Sequence, residues 1–296
     1  MLDFQPITIE SFRYIVPYLK LQSYRTCDFT IGGIYMWIDY FKYEYCIADD
    51  LLFIKGYAED ENKKTAFTLP IGTSPLSHGI ALLKEYCDKH QIQLLLSAVP
   101  EEGKKQIEAL FPSCQAIPLP DWSDYLYNRE ELSTLPGRKF NKKRNRVNKF
   151  YKDYNDISHE PINENNIEEV KCFFHEFYSL NQKESLYFAY EEAMVNQVLD
   201  NYFKLDMTGW ILKAEGRIIG FSIGEIINDT LFVHIEKAFK QYAGAYEVIN
   251  LLFAQNAATS NVIYINREED VGDPGLRKAK LSYHPTNILT KYNIIL

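Results

Sequence analysis

Residues 209–255 read GWILKAEGRIIGFSIGEIINDTLFVHIEKAFKQYAGAYEVINLLFAQ, and the stretch begins with three apolar runs in quick succession. Glu215 and Gly216 separate the first two runs, and Asn228 and Asp229 separate the second from the third. Both pairs are short turn signals for antiparallel hairpins. The apolar residues that follow take helical spacing. The stretch therefore predicts an antiparallel meander followed directly by a helix.

Strand-like and helix-like segments also alternate through the first half of the chain. Apolar runs typical of strands occur within residues 43–57 and 91–99, and helical spacing covers 76–90 and 101–111. This alternation favours an α/β (α+β) fold with mixed sheets flanked by helices. Residues 117–128 contain two prolines and are interpreted as the exit from a domain.

Length and composition indicate two domains. A chain of 296 residues, 46% of them hydrophobic, can form two cores of ordinary size. We predict an N-terminal domain over residues 1–130, a basic linking helix over 131–157 and a C-terminal domain over 158–296. The first residues show no secretory signal, and no apolar run approaches the roughly 18 to 20 residues that span a bilayer. We therefore expect a cytoplasmic protein without a membrane-spanning segment.

Neither the cysteines nor the acidic residues form a metal-binding pattern. The five cysteines are widely scattered, without a CxxC pair or a histidine at metal-ligand spacing, and are expected to be reduced thiols. The acidic residues of 268–273 lack the ligand spacing of a calcium loop. The sequence therefore predicts no metal site.

Residues 135–154, LPGRKFNKKRNRVNKFYKDY, hold eight of the 32 Lys and Arg residues of the chain. Apolar residues recur there at helical spacing, and cations fall on a neighbouring face. The predicted apolar stripe is Phe140, Val147, Tyr151 and Tyr154, and the predicted cationic face is Lys139, Lys142, Arg146 and Lys149. One interpretation is a solvated linking helix; the other is a cradle for donor phosphates formed by Arg138, Lys142 and Arg146. The absence of interleaved acids favours the cradle, because solvated helices more often alternate in sign.

The third run of the meander, residues 230–239, carries candidate catalytic side chains. Period-two alternation predicts that His234 and Glu236 share one side of the strand, opposite Val233 and Ile235. Either polar residue is a candidate general base, and the alternative is a hairpin with one solvated face. On the preceding run, Glu225 points toward an apolar face. A carboxylate there must be paired or have a raised pKa, so Glu225 is a candidate acceptor-binding residue.

The loop from Gln241 to Ala245 leads into the helix after the meander. A helix N-terminus offers unpaired N–H groups and a favourable dipole to anions. With Gln241 and Gly244, the loop resembles the Q/R-x-x-G-x-G/A pattern of the acyl-CoA N-acyltransferase (GNAT) superfamily, although Tyr246 stands at the last position. The resemblance implies that Gln241, Gly244 and Ala245 bind the pyrophosphate of acyl-CoA.

A second resemblance covers most of the chain. INREEDVGDPGLRKAKLSYHPTNILTKY, residues 265–292, together with DYLYN and the basic run, resembles the C-terminal catalytic domain of bacterial phosphatidylglycerol lysyltransferases and its stand-alone relatives. It implies two tandem GNAT-like domains and transfer of an amino acid from charged tRNA. The full-length lysyltransferases add a membrane-spanning flippase module that this chain lacks, so the resemblance leaves open whether the acceptor is a lipid head group or a small molecule.

The second resemblance also implies roles for residues near the C-terminus. Lys280 and, beside it, Arg277 and Lys278 are expected to bind the donor or the transition state, and Tyr283 is the candidate general acid. Arg277 and Lys280 are spaced i,i+3, on one face of a predicted helix that Tyr283 extends. Asp270, in the acidic loop before this helix, is a candidate for binding an amino substrate.

Three classes of function are compatible with the sequence. The favoured class is an aminoacyltransferase fed by charged tRNA; the others are an acyl-CoA-dependent N-acyltransferase and a non-catalytic module that binds an anion or RNA. No bound cofactor is expected, because the charged tRNA or acyl-CoA is a substrate. The net charge of −8 favours a localised contact with nucleic acid. The transferred group, the acceptor and the oligomeric state stay open.

Overall fold

The computed structural model describes residues 2–58, 63–181 and 186–296, apart from the side chains of 186–189. The chain forms two compact units. The first unit comprises Met1–Asp124, Glu269–Pro274 and Ile288–Leu296, and the second comprises Tyr125–Glu268 and Gly275–Asn287. These units differ from the predicted domains, because residues 269–274 and 288–296 belong to the first unit and the basic run belongs to the second.

The first unit is a mixed sheet with helices. Its strand order is β1-β2-β3-β4-β6-β13, and β5 pairs with β3. The pairing of β4 with β6 is parallel, whereas β6 and β13 are antiparallel. Numbered along the whole chain, its strands are β1 (Gln5–Pro6), β2 (Glu44–Ala48), β3 (Leu51–Tyr57), β4 (Thr65–Phe67), β5 (Ile71–Gly72), β6 (Leu95–Pro100) and β13 (Asn287–Ile295). Its helices are α1 (Phe12–Leu19), α2 (Ile31–Tyr35), α3 (Ile38–Phe41), α4 (Leu76–His90) and α5 (Glu101–Leu110).

Local turn chemistry accounts for the first hairpin. Asp49 and Asp50 join β2 to β3 and both have positive φ, 50° and 58°. Two consecutive left-handed residues form the turn whose twist matches antiparallel strands, and aspartate tolerates that conformation.

The second unit contains the predicted meander and helix. Its strand order is β7-β12-β11-β10-β9-β8, in which β11 and β12 are parallel. Its strands are β7 (Gln115–Asn128), β8 (Ser158–Pro161), β9 (Thr208–Ala214), β10 (Arg217–Ile227), β11 (Thr230–Ala238) and β12 (Tyr264–Asn266). Its helices are α6 (Arg129–Thr134), α7 (Asn141–Asp153), α8 (Ile167–Leu180), α9 (Leu186–Asp200), α10 (Ala245–Asn256) and α11 (Pro274–Leu281).

Residues 117–128, interpreted from the sequence as the exit from a domain, contain the boundary between the first unit and the second, which follows Asp124. They lie within the long strand β7, so the chain passes from one unit to the other in a strand. Pro118 and Pro120 are exposed in the first half of this strand, where a missing backbone donor is tolerated. No helix in the described part of the chain is both long enough and apolar enough to cross a bilayer.

The basic run forms the predicted helix, α7, after a short 3₁₀ turn at Arg138–Phe140. Its buried stripe differs from the prediction. Phe140, Lys143, Val147 and Phe150 are buried, whereas Tyr151 is 46% exposed. The predicted stripe omitted both Phe150 and Lys143. The observed stripe has spacings of three, four and three residues. These spacings follow one face of a helix more closely than the predicted spacings of seven, four and three.

We expect Phe150→Ala to destabilise the protein by about 3–5 kcal/mol, because a fully buried ring leaves a cavity. Tyr151→Ala, on the exposed side of the same turn, should cost about 1 kcal/mol or less. Urea unfolding of both variants measures the difference. Equal losses would contradict the observed stripe.

Candidate functional site

A β-bulge in β11 arranges the polar side chains of the second unit. Ile223 pairs with Ile235 and Gly224 pairs with Val233, so that His234 is an extra residue opposite β10. Because neighbouring residues of β10 point to opposite faces of the sheet, Val233 and Ile235 no longer share a face. The prediction that His234 and Glu236 face together is wrong for this reason. Each residue belongs to a separate cluster.

His234 lies between two carboxylates. Its Nε2 is 2.8 Å from Glu225 Oε1 and its Nδ1 is 2.7 Å from Glu268 Oε1, and the imidazole is fully buried. Burial lowers the pKa of His234, but the hydrogen bonds and charges of Glu225 and Glu268 outweigh burial and raise it to about 10. The side chain is therefore an imidazolium at neutral pH, which cannot accept a proton as a general base. Glu225 is thus paired with His234. Pairing was one of the two states expected for a carboxylate on an apolar face.

Glu236 belongs to a cluster around Arg267, which directly follows β12. Arg267 Nη2 donates to Glu236 Oε1 at 2.8 Å, and Asn250 Nδ2 of α10 donates to Glu236 Oε2 at 3.1 Å. Burial lowers the pKa of Arg267, but Glu236 more than offsets this effect. Two buried atoms of this cluster, Arg267 Nη1 and Asn250 Oδ1, have no hydrogen-bond partner within the described protein. A buried donor and a buried acceptor without partners are costly, and a hydrogen bond from another molecule would relieve that cost.

Tyr283 and Lys143 complete this group, which we call the Tyr283 cluster (Tyr283, Lys143, Arg267, Glu236 and Asn250). Lys143 Nζ lies 3.7 Å and Arg267 Cζ 4.8 Å from the centre of the Tyr283 ring. Burial raises the pKa of Tyr283, which keeps the phenol protonated as a general acid requires. Burial also lowers the pKa of Lys143, with a smaller effect in the same direction from Arg267.

Lys143 was not predicted as a site residue. Its sequence signal is the spacing from Phe140 and Val147, which puts a cation on the apolar stripe of α7. A buried lysine with a lowered pKa is a recognised mark of a functional site. Its nearest acid is Glu247 of α10, 3.5 Å from Nζ.

The predicted donor-binding residues of α11 have different surroundings. Lys280 is buried, and its Nζ donates to the carbonyl oxygen of Arg267 at 2.5 Å. Tyr127 Oη in turn donates to the carbonyl oxygen of Lys280 at 2.9 Å. Lys280 thus fixes the backbone that carries the guanidinium of Arg267. Arg277 is half-buried and Lys278 is exposed.

The cations of the basic run divide into paired and unpaired groups. Arg146 binds Glu247 at 2.6 Å, and Lys149 pairs with Asp153 on its own helix. Lys139 pairs with Glu131. Arg138 and Lys142 are exposed and have no ion-pair partner in the part of the chain that the structure describes.

Protein groups already occupy the N-terminus of α10. The N–H of Ala243 donates to Tyr154 Oη at 3.0 Å, and Glu247 places a carboxylate in the first turn. Gly244 has φ of 99°, and a Cβ there would lie 2.9 Å from the carbonyl oxygen of Arg146. Gln241 is exposed, with its carbonyl oxygen accepting from Tyr154 Oη, and Ala245 is buried. The Tyr154 hydroxyl, the Glu247 carboxylate and the Arg146 carbonyl oxygen thus lie at the helix N-terminus, where a bound pyrophosphate would need N–H donors.

The first unit contains a buried ionic cluster, called here the Lys291 cluster, that the sequence did not reveal. Lys291 Nζ lies 2.8 Å from Asp28 and Asp124, 3.7 Å from Glu269 and 3.3 Å from Cys27 Sγ. Burial lowers the pKa of Lys291 but the carboxylates raise it further, so Lys291 stays charged. Burial, Asp124 and Glu269 raise the pKa of Cys27, which stays a thiol.

Ligand atoms of Cys27, Asp124 and Glu269 lie close enough together to hold a metal ion. The Lys291 ammonium contacts all three groups and would repel a metal cation there. Asp270, also in the first unit, is buried and accepts from the N–H of Gly272 at 3.0 Å.

The sequence profile described as phosphatidylglycerol lysyltransferase, C-terminal, matches residues 20–295. The chain belongs to this family. A conserved protein of unknown function from Bacteroides thetaiotaomicron VPI-5482 is 34% identical over the whole of both chains, with a TM-score of 0.92. The C-terminal domain of a putative lysylphosphatidylglycerol synthetase from Agrobacterium fabrum has a TM-score of 0.69 at 11% identity, covering 97% of this chain and 91% of that one.

An uncharacterized protein of Mycoplasmoides gallisepticum is 27% identical over 174 residues. The match covers 57% of this chain and 55% of that protein, so the chain spans about half the length of this curated relative. The predicted resemblance to the phosphatidylglycerol lysyltransferase C-terminal family and the predicted fold class, mixed sheets flanked by helices, are confirmed.

The His234 ion pairs should make stability fall as the pH rises. The folded-state pKa of about 10 exceeds the ordinary value of 6.5, so the stabilisation is complete below pH 6.5 and is lost as the pH rises through 10. Each unit of difference corresponds to about 1.4 kcal/mol. Urea unfolding between pH 6.5 and 10 should show a steeper loss for the natural protein than for His234→Gln. Parallel curves would show that His234 is not held as an imidazolium.

Proposed function

We propose that the chain transfers an aminoacyl group from a charged tRNA to an amine or hydroxyl acceptor, with the chemistry at the Tyr283 cluster. The observation that carries the proposal is the pair of buried, unpartnered atoms, Arg267 Nη1 and Asn250 Oδ1, next to a protonated phenol. Family membership supports a transferase, because the family is described by a lysyl transfer reaction. The acceptor is not specified by this argument.

The reaction divides among three side chains of the cluster. The acceptor attacks the ester carbonyl of the aminoacyl-tRNA, and Arg267 Nη1 donates to the oxyanion that develops on the carbonyl oxygen. Lys143, in its neutral form, takes the proton that the acceptor loses. Tyr283 donates a proton to the ribose oxygen as the ester bond breaks. Burial favours both required protonation states, since it lowers the pKa of Lys143 and raises that of Tyr283.

The remaining members of the cluster position these groups. Glu236 fixes one edge of the guanidinium and is itself held by Asn250. Lys280 fixes the backbone of Arg267. In this proposal Glu236 and Lys280 act through Arg267. The sequence instead predicted Glu236 as a candidate general base and Lys280 as a residue that binds the donor or the transition state.

The unpaired cations near the start of α7 supply a contact for tRNA phosphates. Arg138 and Lys142 are exposed, and the segment that follows α11 contacts the turn before α7, since His284 Nε2 lies 3.2 Å from the carbonyl oxygen of Lys139. Lys278 of α11 adds a third exposed cation. Arg146 is bound to Glu247 and contributes less to this surface. The groups at the N-terminus of α10 argue against acyl-CoA as the donor.

We expect Arg138→Glu/Lys142→Glu to weaken the binding of a mixed pool of charged bacterial tRNA by tenfold or more at about 0.15 M salt. Fluorescence anisotropy across a salt series measures the affinity. Lys20→Glu/Lys204→Glu makes the same charge change at exposed positions elsewhere and should leave the affinity unchanged. Absence of tRNA binding by the natural protein, or equal losses in both double variants, would overturn the proposed donor.

Tyr283→Phe should bind charged tRNA with the affinity of the natural protein. Its rate of aminoacyl transfer from charged tRNA to acceptors in a bacterial extract should fall about 10²–10⁴-fold, because the leaving ribose oxygen loses its proton donor. Tyr202→Phe, which also alters a buried tyrosine of the second unit, should keep its rate. An unchanged rate for Tyr283→Phe would show that the phenol is not the acid. Binding without turnover in the natural protein would indicate a binding module.

A further inference from the structure

The first unit contains a pocket of about 780 Å³, including its open mouth. Aromatic side chains make up much of its wall: Trp37, Phe41, Tyr43, Tyr57, Phe67 and Trp122. Such a lining is typical of a small-molecule site, in which apolar walls surround a few polar groups.

The described residues that line this pocket carry charges of one sign. Asp28 and Glu269 contribute carboxylates and Cys27 a thiol, and none of the described lining residues is a Lys, Arg or His. Lys291, which binds both carboxylates, is not part of the lining. Within the described lining, an incoming group therefore meets carboxylates and neutral groups.

The pKa values of three lining groups agree with a negative local potential. Burial raises the pKa of Asp28, and Asp124 adds to this effect although Lys291 opposes it. Burial and nearby carboxylates likewise raise the pKa of Cys27 and of Tyr43. In the Lys291 cluster the carboxylates of Asp28, Asp124 and Glu269 surround one ammonium group, so the local charge favours a further cation in the pocket.

An irregular stretch of β6 shapes one side of the pocket. Tyr292 pairs with Val99 and Ile294 with Leu96, so Ser97 and Ala98 stand opposite the single residue Asn293. Ala98 has φ of 54°, a conformation that L-residues rarely adopt. Ser97 Oγ donates to Asn293 Oδ1 at 2.7 Å, and Ser97, Ala98 and Asn293 line the pocket. The bulge replaces regular strand pairing with polar groups on the pocket wall.

We propose that this pocket binds a small molecule with a primary ammonium group on an aromatic or bulky apolar body. The ammonium group contacts Asp28 and Glu269, and the body packs against the aromatic wall, where cation–π attraction from the tryptophans adds to charge pairing. An anionic ligand would meet two carboxylates without a lining cation. The inference concerns the first unit alone and does not depend on the proposed transfer reaction.

Three probes of similar shape test the charge requirement: 2-phenylethylamine, 2-phenylethanol and 3-phenylpropionate. Two of the three tryptophans of the chain, Trp37 and Trp122, line the pocket, so tryptophan fluorescence reports occupancy directly. We expect the amine to bind at least tenfold more tightly than the alcohol, since hydrogen bonds to charged groups contribute about 1.5–3 kcal/mol. The carboxylate should bind most weakly.

Variants separate a direct contact from a structural effect. Glu269→Gln should weaken the amine about tenfold or more and leave the alcohol unchanged, whereas Glu85→Gln, an exposed carboxylate outside the pocket, should change neither. Trp122→Leu should weaken both the amine and the alcohol, and the amine more, because the amine also loses a cation–π contact. This variant retains both carboxylates and serves as the test if Glu269→Gln fails to fold. Equal binding of amine and alcohol, preference for the carboxylate, or no fluorescence response to any probe would overturn the proposal.

Discussion

A single buried ammonium group joins the three chain segments from which the first unit is built. Lys291 comes from the last segment, Glu269 from the short middle segment, and Asp28 and Asp124 from the first. Removing these charges from water is costly, so the cluster is stable only while all of its partners are in place. Its geometry also fixes where Asp28 and Glu269 meet the pocket. Asp28 and Glu269 therefore both stabilise the fold of the first unit and make the pocket acidic.

In the second unit, one inserted residue has a comparable effect. Because His234 is extra in β11, the charged residues around this strand separate into two groups on opposite faces of the sheet. His234, Glu225 and Glu268 form a closed set in which both imidazole nitrogens are engaged. Arg267, Glu236 and Asn250 form an open set with unpartnered atoms. The first set is suited to stabilising the strands and the second to binding a substrate.

The parts of the fold that the sequence predicted depend on local spacing. The meander, the helix α10 and the basic helix α7 follow from apolar periodicity and turn residues, which need only neighbouring positions. The predicted faces failed at His234 because a one-residue bulge reverses every later position and has no distinct sequence signal. The Lys291 cluster and the pairing of Arg267 with Glu236 depend on contacts between distant segments. Tyr283 was predicted through family resemblance. Lys143 beside it was not predicted, because the basic run contains seven other cations.

The discontinuous first unit has a consequence for synthesis. β13 is the antiparallel partner of β6, yet nearly two hundred residues of chain separate the two strands. A ribosome that has just completed β6 and α5 must still produce most of the second unit before β13 emerges. The second unit can therefore assemble most of its sheet during translation. Meanwhile the first unit has β6 unpaired on that side, and the carboxylates of Asp28 and Asp124 lack their ammonium partner. The part of the chain that is made first is the last to be completed.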